Sequence, residues 1–406
     1  MPHVPPQEIL ARYASVLVDF ALGGGSGVQP GEVVRVVAPE IAKPLYVELN
    51  RAVWRAGGHV IPGYQPDDDH TFNISRDFYQ SASAEQLEHF PAAYMRGLVD
   101  EMDHQVSVIA DADPHALDSV DPARIMRRGE AMRPLLDWRG EKENAGRFSW
   151  TLGLYGTPAM AAEAGMEEAE YWEQIIHACF LDAEDPVARW REVGERLDDT
   201  RRQLNELDID RVHVEGEDVD LRVSIGEHRQ WLGGRGRNIP SFEIFTSPDW
   251  RGTEGWIYCN QPLYRYGNLV RGVRLTFADG RVTEATAEEN ERVLSEMIAT
   301  PGADRIGEFS LTDRRFSRIS RFMAHTLYDE NVGGAFGNTH IAVGRSYQDA
   351  FAGDPSEVSD ERWEELGFNS SSVHTDVVST TDRRVTARLR SGEERVIYSD
   401  GEFRLD

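Results

Sequence analysis

Asn369-Ser370-Ser371-Ser372-Val373-His374-Thr375-Asp376-Val377-Val378 decides how the rest of the chain is read. His374 and Asp376 are two apart in a β-prone run. Strand side chains alternate faces, so both project from one face. An imidazole beside a carboxylate is half of a metal site. Upstream, His340 lies in a similar apolar setting, Thr339-His340-Ile341-Ala342-Val343-Gly344. Two isolated acids also sit in apolar surroundings: Glu243 in Phe242-Glu243-Ile244-Phe245 and Glu308 in Ile306-Gly307-Glu308-Phe309. A single Glu in a strand usually faces solvent, and a single His is usually a surface or satisfied core group. The set points to metal because all five lie in apolar strands. Two glutamates, two histidines and an aspartate suit two divalent cations, Zn²⁺, Co²⁺ or Mn²⁺. Two such ions usually share a carboxylate, and Glu308 and Asp376 are the candidates for that bridge.

Around these residues the pattern is one of short alternating strands. They are expected at 211–214, 218–223, 255–259, 269–277, 281–286, 305–311, 339–344, 372–378, 385–389 and 395–399. Turns at Asp279-Gly280, Ser391-Gly392 and Asp400-Gly401 punctuate them. Helices are expected here only at 287–299 and 314–327. Residues 216–406 are therefore read as an α+β domain with a largely antiparallel sheet carrying the metal site. The first half has another grammar. Strands at 33–37, 58–64, 105–110 and 148–155 alternate with helical stretches at 7–21, 41–56, 84–102, 121–136, 157–180 and 186–206. That alternation predicts an α/β domain over residues 1–215, with a mostly parallel sheet covered on both faces. The run Gly23-Gly24-Gly25-Ser26-Gly27 precedes a strand and lacks the Lys-Ser/Thr of a phosphate loop, so it reads as a flexible turn. Asp67-Asp68-Asp69-His70 reads as a solvated acidic loop.

The 406 residues carry 70 acids against 43 bases, a formal net charge of −27. Lys43 and Lys142 are the only lysines, and the acids are spread along the whole chain. Such a surface repels nucleic acid and anionic membranes, which removes both as partners. Spread acidity with so little lysine suits molar salt, where the Debye length falls to about 3 Å and self-repulsion is screened. A halophilic protein is expected. No apolar run approaches the roughly 20 residues that span a bilayer. The start, Met1-Pro2-His3-Val4-Pro5-Pro6, lacks the charged and apolar regions of a signal peptide, so a cytoplasmic protein is expected. Cys179 and Cys259 match no metal or redox motif and read as free thiols.

Several boxes in order carry a resemblance. They are Gln29-Pro30-Gly31-Glu32-Val33-Val34, Asn238-Ile239-Pro240-Ser241-Phe242-Glu243-Ile244-Phe245-Thr246, Tyr266-Gly267-Asn268-Leu269-Val270 and Leu275-Thr276-Phe277-Ala278-Asp279-Gly280. Ile306-Gly307-Glu308, Thr326-Leu327-Tyr328-Asp329-Glu330-Asn331, His340-Ile341-Ala342-Val343-Gly344 and Ser371-Ser372-Val373-His374-Thr375-Asp376 complete the series. Over nearly its whole length the chain resembles the M29-type metallo-aminopeptidases, the aminopeptidase T and aminopeptidase S group. The segment Val332–Thr339 departs from that pattern in being longer and richer in glycine.

The resemblance implies that Glu243, Glu308, His340, His374 and Asp376 bind two divalent metal ions. It implies that Tyr347 stands at the metals, as a ligand or as a hydroxyl that stabilises the tetrahedral intermediate. Glu308, or alternatively Glu330, would carry the proton to the leaving amine. The implied activity is removal of N-terminal residues from short peptides by a homodimer, with metal activating the attacking water. The same ligands would also serve a two-metal phosphoester hydrolase, or a non-catalytic metal- or peptide-binding relative.

Overall fold

The computed structural model describes residues 3–69, 71–234, 236–265 and 268–405. His70 of the acidic loop and Tyr266-Gly267 of the third box lie outside the described residues. The chain divides into two compact units, Met1–Arg191 with Arg235–Pro240, and Glu192–Gly234 with Ser241–Asp406.

The first unit is built on β1 (Val33–Pro39), β2 (His59–Gln65), β3 (His104–Ile109) and β4 (Ser149–Leu154). They lie in the order β2-β1-β3-β4 and every pair is parallel, as the alternation of strand and helix requires. Along β1, Val34, Val36 and Ala38 are fully buried while Val33, Arg35 and Val37 on the other face are half-buried. Helix Lys43–Arg55 buries Leu45, Leu49, Ala52 and Val53 on one stripe, at the i, i+4, i+7 spacing of an amphipathic helix. Two expected helices are each broken in two. Pro91 separates Ala84–Glu88 from Ala92–Glu101. Gly165, at φ 66°, ends Pro158–Glu163 before Glu168–Ala178 begins. The acids of the 67–69 loop bind backbone. Asp68 accepts the Ile74 N–H at 2.6 Å, and Asp69 accepts those of Thr71 and Phe72 at 2.6 Å each. Cys179 and Cys259 are free and buried.

In the second unit the strands are β5 (Ile209–Gly216), β6 (Val219–Ser224), β7 (Leu232–Gly233), β8 (Glu243–Thr246), β9 (Glu254–Cys259), β10 (Leu263–Arg265), β11 (Asn268–Val270), β12 (Val273–Ala278), β13 (Arg281–Thr286), β14 (Ile306–Thr312), β15 (Asn338–Gly344), β16 (His374–Ser379), β17 (Arg384–Leu389), β18 (Glu394–Ser399) and β19 (Glu402–Phe403). An eight-stranded sheet has the order β13-β12-β9-β6-β5-β17-β18-β19, and a five-stranded sheet the order β16-β15-β14-β8-β7. Every pairing in both is antiparallel. The expected strand 269–277 is two strands, β11 and β12. The eight-stranded sheet keeps a clean alternation: Val212, Val214, Leu221, Val223, Leu275, Val385 and Ala387 are buried and their neighbours are not. β14 and β15 are buried at every position, the mark of strands covered on both faces.

The helix expected over 314–327 does not form; only Thr326–Asp329 is helical. Local acceptors take the backbone donors that a helix would use. The Asp313 carboxylate accepts the Arg315 N–H, the Ser317 hydroxyl accepts the Ile319 N–H, and the Asp329 carboxylate accepts those of Met323 and His325. No helix among the described residues is long and apolar enough to cross a membrane.

Candidate metal centre

Antiparallel register assembles the centre on the five-stranded sheet. Glu308 on β14 pairs with Ala342 on β15, which pairs with Asp376 on β16. The next row of the same face holds Ser310 and His340, and the row beyond holds Glu243, Thr312 and Asn338. In the opposite direction Gly344 pairs with His374. Glu243, Glu308, His340, His374 and Asp376 therefore all project from one face. Ser310, Ala342 and Gly344 stand between them and leave room at the sheet surface. At Gly344, φ is +106° and a Cβ would lie 2.0 Å from the Val373 carbonyl oxygen. Only glycine lets β16 begin that close to β15.

His340 Nε2 is 3.1 Å from Glu243 Oε2 and 3.3 Å from Glu308 Oε1. His374 Nε2 is 3.5 Å from Glu308 Oε2 and 3.6 Å from Asp376 Oδ1. Two groups of ligand atoms result, Glu243-Glu308-His340 and Glu308-His374-Asp376, each with its atoms within 4.8 Å of one another. Glu308 belongs to both and turns one oxygen to each imidazole. The first group is buried; in the second, His374 and Asp376 are half-buried.

Burial and neighbouring charge shift the protons of Glu308, Glu330, His340 and Tyr347. Burial pushes the Glu308 carboxyl up to about 7, against the pull of His340 and with the push of Glu243. Glu330, buried in the segment before β15, is held well above the usual carboxylate range by desolvation and then by Glu243 and Asp376. For His340 burial opposes the charged form, but the bonds to Glu243 and Glu308 outweigh it and hold the ring's pKa well above that of a free imidazole. Tyr347 follows β15 in a loop. The residue is 41 % exposed, and its ring lies 4.6 Å from that of His374 and 5.9 Å from that of Phe245. Loss of solvent around its hydroxyl, then Glu308 and Asp376, raises its pKa well above the ordinary tyrosine value.

These donors fit divalent cations. His374 Nδ1 lies 2.7 Å from the Arg345 carbonyl oxygen, which only accepts, so Nδ1 carries the hydrogen. Nε2 is thereby the nitrogen turned toward carboxylate oxygens, at 3.5 and 3.6 Å. A ring nitrogen turned to carboxylates while its partner is pinned to a carbonyl is the usual metal-ligand arrangement.

The structure brings all five expected ligands together and sets Tyr347 against His374. It also adds groups that sequence reasoning missed. Ser310 donates to Glu243 Oε2 at 3.1 Å. Asn338 Oδ1 faces His340 Nδ1 at 3.4 Å, and Asn338 Nδ2 donates to the carbonyls of Glu330 and Val332 at 2.9 and 2.8 Å. Asn331 donates to Glu330 Oε1 at 3.3 Å and accepts the Phe242 N–H at 2.6 Å. Thus the glycine-rich segment before β15 is tied down where it holds Glu330 beside the ligands. Ser310, Asn338 and Phe245 each lie two residues from a ligand on the same strand, a step that period two makes legible. The Arg345 carbonyl has no such signal.

Known proteins share this arrangement of chain. A family model described as thermophilic metalloprotease (M29) matches residues 6–403. Aminopeptidase PepS of Streptococcus thermophilus is 26 % identical, covering 98 % of each chain. Aminopeptidase T of Thermus thermophilus is 29 % identical, covering 91 % of this chain and 92 % of that one. A solved structure, wild-type AmpT from Thermus thermophilus, matches with a TM-score of 0.80 at 26 % identity over 98 % of each chain. Since the match runs from the first helix to the last strand and takes in every strand of the ligand face, this chain belongs to the thermophilic metalloprotease family M29.

Proposed function

We propose that the protein is a metal-dependent aminopeptidase that removes N-terminal residues from short peptides at a two-metal site. Glu243, Glu308 and His340 would hold one divalent cation, and Glu308, His374 and Asp376 the other, with Glu308 as the bridge. The observation that carries this reading is the sharing of Glu308, one oxygen toward each imidazole. Zinc, cobalt and manganese all suit such donors. Bound there, the ions supply the positive charge that activates water and polarises the scissile carbonyl.

The chain's own residues do the remainder. Glu330, buried among the charges of the centre, would as a carboxylate take the proton of the attacking water and return it to the leaving amine. Tyr347 keeps its hydrogen at neutral pH and would donate it in a hydrogen bond to the developing oxyanion. Half-buried Asp376 lies on the more open side of the site, where a carboxylate attracts the free α-amino group of a peptide. Such an attraction limits cleavage to the N-terminal residue. Membership of a metalloprotease family and the aminopeptidase names of the relatives support amide hydrolysis. Neither phosphoester hydrolysis nor a purely binding role has that support. The same reading takes the working form to be a cytoplasmic homodimer, and the net charge of −27 supports a salt-rich setting.

The test is an assay of the purified protein in about 2–4 M salt, where exposed charge is screened, with leucyl chromogenic amides and with phosphoesters, adding Co²⁺, Mn²⁺ or Zn²⁺. Amide hydrolysis with at least one ion is expected. Its absence with all three would sink the reading.

A further inference from the structure

The eight-stranded sheet buries one face and opens the other. On the open face, between β5, β6, β17 and β18, lies a depression of about 590 Å³. Cross-strand rows build it. Arg211 on β5 is directly opposite Arg388 on β17. In the next row His213 has Arg222 on one side and Thr386 on the other; in the row after, Glu215 has Asp220 and Arg384. Asp220 and Glu215 are already engaged. Asp220 lies 2.7 Å from His213 Nε2 and 3.1 Å from Arg222 Nη1, and Glu215 lies 3.6 Å from His213 Nδ1. Glu394, opposite Arg388 in register, is not close enough for an ion pair. Among the described residues, the guanidinium groups of Arg211, Arg384 and Arg388 have no ion pair or hydrogen-bond partner. Like charges directly opposed across strands destabilise a sheet. Here they occur in a chain whose acids outnumber its bases 70 to 43, so partners are not scarce.

We propose that this depression binds a small multivalent anion, one carrying two or more carboxylate or phosphate groups. Guanidinium forks match both groups bidentately. Arg211 and Arg388 stand on strands about 4.8 Å apart, so one molecule with two anionic groups engages both and removes their repulsion. Arg384 closes the depression two rows away. The volume is that of a small-molecule site. A long polyanion would have to cross the acidic surface around the depression, which disfavours it.

Calorimetric titration of the full-length protein tests this, with tripolyphosphate and with citrate, against potassium chloride at equal ionic strength. The salt is set at the lowest concentration that leaves the circular dichroism of the fold intact. Saturable one-to-one binding is expected, weakened about tenfold or more, or about 1.4 kcal/mol, in Arg211→Ala and in Arg388→Ala. Leucyl-amide hydrolysis should be unchanged in both. Binding of both anions, of tripolyphosphate alone or of citrate alone would each support the site and identify the group it takes. Where an alanine variant loses its fold, Arg388→Lys replaces it; the charge stays, the fork is lost, and weaker binding is still expected. Absence of saturable binding with either anion, or equal affinity in the variants, overturns the proposal.

Discussion

The His374 ring donates its Nδ1–H to the backbone carbonyl of Arg345 over 2.7 Å. That bond decides where the other nitrogen points. With Nδ1 fixed outward, Nε2 faces the free oxygen of Glu308 and the carboxylate of Asp376. The carbonyl is itself held: the Arg345 N–H donates to the Val373 carbonyl at 2.7 Å, and the turn at Gly344 brings these two segments together. One side of the centre is thus oriented by backbone, which no side-chain substitution at 345 would disturb.

Replacing Glu308 with Gln should abolish the shared ligand. On the proposed two-ion site, bound metal is expected to fall toward one ion or none, and amide hydrolysis at least about a hundredfold, the scale on which even supporting residues act. Metal analysis by mass spectrometry on the dialysed variant checks it. Two retained ions at the wild-type rate would remove Glu308 from its bridging role.

Glu330→Gln separates proton transfer from metal binding. The substituted amide keeps the shape and its bond to Asn331 but cannot carry the proton. We expect kcat to fall by about 10²–10⁴ with both ions retained. A variant that loses metal instead would place Glu330 among the ligands, and one that loses neither would leave Glu308 as the proton carrier.

Tyr347→Phe tests the hydroxyl alone, because the ring still packs on His374 and Phe245. If the O–H stabilises the oxyanion, kcat falls by about 10²–10³ while KM and metal content hardly change. A parallel loss of one ion would make Tyr347 a ligand.

The segment before Glu330 predicts a pH dependence. Burial pushes the Asp329 carboxyl up to about 8, even though it accepts the N–H groups of Met323 and His325. Below the ordinary aspartate range both folded and unfolded chains are protonated here, and the contribution is fully present. As pH rises the unfolded chain ionises first, so stability is lost until pH passes about 8. His325 has the opposite sign over an overlapping range. Burial holds it down to about 4, so its contribution is intact above the free imidazole value and is lost as pH falls toward 4. Asp329→Asn should remove the fall in melting temperature as pH rises to about 8 and uncover the opposite slope of His325 between about 4 and the free imidazole value. Scanning calorimetry in steps of pH reads both; an unchanged slope up to about pH 8 would show that Asp329 ionises freely in the native state.

Parts of this centre could be read one strand at a time. His374 and Asp376 share a face because they are two apart in an apolar strand, and the same period places Ser310 beside Glu308 and Asn338 beside His340. The segment 314–327 was expected to be a helix and forms one only at Thr326–Asp329. Asp313, Ser317 and Asp329 offered its backbone nearer partners, and hydrogen bonds of that kind depend on where the chain turns. Gly344 was visible as a glycine, but the need for it arises only where the Val373 carbonyl approaches.

By itself, the sequence determined the ligand types, the strand phase of each, the parallel and antiparallel halves, and enough ordered boxes to resemble one family. All of these are local properties, set by side-chain chemistry and by the two-residue period of a strand. Tertiary structure decided which strands are neighbours. The order β16-β15-β14-β8 brings Asp376, His340, Glu308 and Glu243 into adjacent rows of one face. It makes Glu308 the residue common to both clusters and leaves Arg211 opposite Arg388 on the other sheet. Those pairings join residues far apart in the chain. Their register follows from which faces can be buried together, a balance that no single stretch contains.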